Sequence, residues 1–144
     1  MFHRRTIVDT ASADLISRGI TKPVLWCAPN SQTYIILTMA QRIPMPGCIG
    51  ILSKAYKNLL GHIERSGDGV MQALPNGRIF QLQAGRDLNL IAFNSNNHQT
   101  TYGVLASAFL ALVDYMAGQG TYCAAAFMIY DGKNEVGTGS IGLY

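Results

Sequence analysis

The stretch TTYGVLASAFLALVDYMAGQG, residues 100–120, carries a single charged side chain, Asp114. Leu105, Phe109, Leu112 and Met116 recur at helical spacing, with Thr100 or Thr101 placed as an N-cap and Gly118 at the far end, so a helix over about 101–117 is predicted. A helix lying on a sheet buries one stripe and solvates the rest. This one has almost no polar side. Its small residues Gly103, Ala106, Ala108 and Ala111 would permit close approach away from the large apolar stripe. It must therefore be covered by another helix, by the amino-terminal segment or by another chain. Asp114 and Gly118-Gln119-Gly120 interrupt the apolar run short of the roughly 20 residues of a membrane span, so no transmembrane segment is expected.

A second helix is predicted over about 47–64. Cys48, Leu52, Ala55, Leu59 and Ile63 share one face, and Lys54, Lys57, Asn58 and Glu64 lie largely on the other. Shifted by 53 positions, GILSKAYKNLLGHI (50–63) lies over GVLASAFLALVDYM (103–116), with Gly, Leu, Ala and Leu identical. Helical period alone produces such overlaps. An internal duplication produces them too, and the halves would then be two β-α-β units.

Strands fill the rest. PVLWCA (23–28) and TYIILTMAQ (33–41) flank the turn signal PNSQ and read as a hairpin, the second strand being apolar on both faces and hence central. RIFQLQ and DLNLIAF form two strands joined at Ala84-Gly85 or one long bent strand. YCAAAFMIY and EVGTGSIGLY flank DGKN and form a closing hairpin. TASADLISR (10–18) has the signals of a short helix. The expectation is an α+β chain, a single-domain α/β sandwich of the split β-α-β, ferredoxin-like type: an antiparallel sheet with two helices on one face. One domain spans 1–144, with 1–20 as a separable amino-terminal segment.

Composition bears on partners. Charged residues are 13% of the chain and hydrophobic residues 49%, against about 25% charged in ordinary soluble domains. Too little charge is available to cover a monomer, which points to association. The net charge of +3 is spread along the chain rather than clustered, which argues against nucleic acid. MFHRRTIVDTAS lacks the apolar run of a signal peptide. Cys27, Cys48 and Cys123 fit neither a zinc pattern nor a disulfide framework, and at most one bridge can join them.

No motif assembles a reaction. GTGSIG (137–142) matches a dinucleotide fingerprint in letters, but no helix follows to receive a pyrophosphate; glycines in a last strand instead admit a close backbone. Cys48 sits at a helix start, where a thiol can be activated, and equally begins an apolar stripe. His3, His62 and His98 are isolated from one another. Most carboxylates fall at turns or helix ends, where solvation or capping explains them. Asp114 is the exception, facing water, a tyrosine hydroxyl or a basic group of a neighbouring chain. No cofactor and no metal is expected.

The last third, from TTYGVL through FMIYDG to VGTGSIG, resembles small secreted or effector-like proteins of filamentous fungi that carry a TxGVL helix and an FxIYDG…VGxGxI hairpin. The strand-helix alternation is distantly similar to the α/β sandwich of fungal killer toxins. The resemblance implies an extracellular, non-enzymatic factor. Three classes of function follow. The first is a non-catalytic binding or self-assembling homo-oligomer, using the outer side of the second helix (Ala111, Asp114, Tyr115) or the edge of the closing hairpin (Gly137, Gly139, Ser140, Gly142). The second is an effector or toxin acting on a foreign protein or cell surface. The third is a small hydrolase with a site no motif reveals.

Overall fold

A computed structural model of the chain describes residues 6–7, 23–85 and 87–143. Along the chain run β1 (Thr6–Ile7), β2 (Val24–Cys27), β3 (Thr33–Arg42), α1 (Met45–Ser66), β4 (Arg78–Ala84), β5 (Leu88–Asn94), α2 (Tyr102–Gln119), β6 (Cys123–Asp131) and β7 (Asn134–Leu143). The fold is α+β, an antiparallel sheet with two helices packed together on one face. The helix expected at 10–18 lies outside the described residues.

The strand order is β1-β2-β3-β6-β7-β5-β4. Omitting the two-residue β1, the order is a palindrome about the β6/β7 hairpin. On one side lie β3 and β2, on the other β5 and β4, and each hairpin is followed by a helix. The 53-residue shift carries Ile35 and Leu37 of β3 onto Leu88 and Leu90 of β5, and all four are buried. The corresponding units are thus β-β-α, with both strands ahead of the helix, rather than the β-α-β order read from the sequence. The helices cross over: α1 follows β3 yet packs on β4 and β5, whereas α2 follows β5 and packs on β2, β3 and β6. Each helix covers the strands of the other half, so neither half has a complete core alone.

Pro44 precedes α1 and Pro46 lies in its first turn, where a missing N–H breaks no helical bond. Thr101 caps α2 by accepting the Val104 N–H at 3.2 Å. Asp68 adds a second cap, its Oδ1 accepting the Gly69 and Gly103 N–H groups at 2.8 and 2.9 Å. A carboxylate there complements the positive end of the helix. The helix continues through Gly118 and stops at Gly120, whose φ of 66° is left-handed.

The charge-poor α2 finds its cover under α1. Leu105, Ala106, Ala108, Phe109, Ala111, Leu112, Tyr115 and Met116 are all buried. The helices run antiparallel: Cys48 Sγ, near the start of α1, meets Met116 Sδ at 3.5 Å, and His62, near its end, stacks on Tyr102 with ring centroids 3.8 Å apart. Leu52, Leu59 and Ile129 join the same core, each at most 3% exposed.

Candidate binding surface

A strand sends alternate side chains to opposite faces. Val24, Ile35, Leu37, Phe127, Ile129, Leu90 and Ala92 point under the helices and are buried. The other face has no described helix or strand above it. Registers place its side chains in rows. One runs Leu25, Ile36, Met128, Thr138, Phe93 and Arg78 across six strands. The next runs Thr38, Ala126, Ser140, Ile91 and Gln81. Both rows are free of charge until Arg78 at the β4 rim. A depression of about 270 Å³ opens among Ile36, Thr38, Ala126, Met128 and Thr138.

Toward one end of this face, Tyr34 of β3 and Tyr130 of β6 stack with centroids 4.9 Å apart and planes 6° from parallel. Burial raises the pKa of the Tyr34 hydroxyl, and repulsion from Tyr130 raises it further. The unfolded chain therefore ionises at Tyr34 first. The stability linked to Tyr34 is intact below pH 10, the ordinary tyrosine value, and is lost as pH climbs through the raised one. Urea midpoints measured between about pH 9 and 11 should fall less steeply with pH in Tyr34→Phe than in wild type; equal slopes would remove Tyr34 as the cause.

The second-helix residues singled out from the sequence are committed within the chain. Ala111 is fully buried and Tyr115 is 8% exposed. Trp26 Nε1 donates to Asp114 Oδ2 at 2.8 Å, and the Trp26 ring meets Tyr115 edge-on at 4.9 Å. The isolated charge of α2 thus serves the indole of β2.

The closing hairpin requires a correction. β7 is not an edge strand. It lies between β6 and β5, paired along both sides, so its backbone offers no partner a free ladder. Gly137 and Gly139 do admit a close neighbour, but it is the same chain: a Cβ at Gly137 would stand 2.9 Å from Phe93 O, and one at Gly139 2.7 Å from Ile91 O. Gly142 is buried. Ser140 alone of this set points onto the open face.

Other groups are accounted for locally. Asp131 accepts from Gln32 Nε2 at 2.6 Å, and Glu135 accepts from Ser95 Oγ at 2.8 Å. Cys27 and Cys48 are buried, and neither is in a disulfide. Among the described residues, no three His, Cys, Asp or Glu side chains gather to hold a metal, and no helix is long and apolar enough to cross a membrane. A second depression, about 310 Å³, lies between the start of α1 and the β4–β5 turn; Ile43, Pro44, Leu88 and Leu143 line it, and among the described residues Asp87 is its one ionisable side chain.

The residues that make the open face, Ile36, Met128, Ile91 and Phe93, were not singled out from the sequence. Their signal was present. TYIILT and AFMIY are apolar at consecutive positions, so both faces of those strands are apolar, and a central position in a sheet explains only paired backbone. No protein family, curated protein or solved structure matches the chain.

Proposed function

We propose that this protein is a non-catalytic binding protein that works as a homo-oligomer. The observation behind the reading is the open face, where two rows of side chains cross the sheet without a charge between Leu25 and Phe93. Monomers rarely expose apolar patches beyond a few hundred Å², and a charge content of 13% leaves little to mask one. A catalytic reading would want ionisable groups converging in a cavity. Among the described residues, the open-face depression is lined by apolar side chains and two threonines, and the depression beside the β4–β5 turn contributes one carboxylate.

Light scattering over a dilution series tests the proposal. The expected result is a mass above 15.6 kDa that falls toward that value on dilution. A constant monomer mass at every concentration would end this reading.

A further inference from the structure

We infer that the assembly is a closed dimer of two copies packed face to face through the open side of the sheet. The inference rests on the homo-oligomer reading and adds the surface, the geometry and the size. Six strands of about 7 residues, spaced about 4.8 Å apart with about 3.4 Å per residue, present roughly 700 Å² in projection. A standard specific interface takes about 800 Å² from each partner. The face is therefore of the right size.

Its chemistry favours a second copy. A charged partner would have to bury its ions against Ile36, Met128, Ile91 and Phe93, where no counter-charge exists to offset desolvation. A twofold axis lays this face on itself, so neither copy brings a charge to the centre. Arg78 and Glu135 fall toward the margins, where water reaches them. Two sheets packed this way stand about 10 Å apart with interdigitated side chains. The shallow depression beside Met128 gives each copy space for a projecting side chain of the other, and the unbranched thioether of methionine adapts to such a neighbour.

The geometry also limits the size. Both described helices occupy the other face, and α1 presents Lys54 and Lys57 at exposed positions there. An isologous contact uses one patch on each copy. Once the two open faces meet, no second face of the same kind remains, and growth stops at two.

The test uses the full-length chain. Met128→Lys and Ile36→Lys place a charge in the centre of the contact in both copies, while Leu60→Lys, at an exposed position of α1, leaves the contact alone. The dimer dissociation constant should rise at least about tenfold in each face variant, since a lysine ammonium buried there has no counter-charge to offset its desolvation, and Leu60→Lys should dimerise like wild type. Far-UV circular dichroism checks that each variant folds. A wild-type oligomer that Met128→Lys and Ile36→Lys leave intact would overturn the face and leave self-association standing. A mass above the dimer would overturn closure. Peroxide oxidation of Met128, followed by mass spectrometry, separates another occupant: the rate should fall as protein concentration rises. Slow oxidation at every concentration in a strict monomer would show that the chain covers its own face, and both the dimer and the homo-oligomer reading would fall.

Discussion

Phe109→Ala should lower stability by about 3–5 kcal/mol, the usual cost of removing a buried phenylalanine ring, and lower Tm by roughly 10 °C or more. Phe109 is fully buried on α2. Its ring meets Phe80 of β4 edge-on at 5.2 Å and Phe127 of β6 at 6.5 Å. The registers explain the gap it fills. On the helix-facing side, Phe127, Gly139, Ala92 and Phe80 form one row across β6, β7, β5 and β4. Two small residues lie between two rings, and Phe109 enters from the helix layer above. Removing it would open a cavity where the two halves of the sheet share one core, and collapse would have to draw both halves inward. Thermal and urea unfolding followed by circular dichroism measure the effect. An unchanged midpoint would mean that the ring does not occupy this gap.

Much of this core was legible because it is local. The spacing of Leu105, Phe109, Leu112 and Met116 defines a helical stripe whatever lies opposite. The 53-residue shift between the helices also reflects a real correspondence of elements, since it superposes buried positions of β3 on buried positions of β5. The sequence alone admits three covers for the charge-poor helix. Nothing in the sequence of α2 records that α1 crosses from the first hairpin to lie beside it.

Strand order was illegible for the same reason. β3 pairs with β6, and Tyr34 lies opposite Tyr130, far apart in the chain. Local patterns fix which residues are strand but not which strands are neighbours. The glycines of the closing hairpin suggest room for another backbone, and so an edge position. The inference about space was correct, and the owner of the backbone was this chain. Locating Gly139 inside the sheet turns it from an assembly position into a packing constraint.

That constraint carries the second large effect. A Cβ at Gly139 would lie 2.5 Å from Phe127 Cζ and 2.7 Å from Ile91 O. The Phe127 ring is 2% exposed and already packs edge-on against Phe109 at 6.5 Å, so it can yield only by displacing its neighbours. The Ile91 carbonyl belongs to the paired strand β5 and moves only if the ladder between β5 and β7 moves with it. Gly139→Ala should therefore destabilise the fold by about 1–3 kcal/mol, the range of overpacked cores, even though alanine relieves the conformational freedom that glycine loses on folding. Gly139→Val should cost more. The two obstacles can be told apart by a double mutant. Phe127→Leu removes the atom nearest the new methyl, so Gly139→Ala should cost less in a Phe127→Leu background than in wild type, a non-additivity expected of residues in contact. The part that survives belongs to the Ile91 carbonyl. Unfolding midpoints for the four proteins of the cycle supply the comparison. If Gly139→Ala alone proves neutral, β7 does not sit as tightly between β6 and β5 as the registers place it.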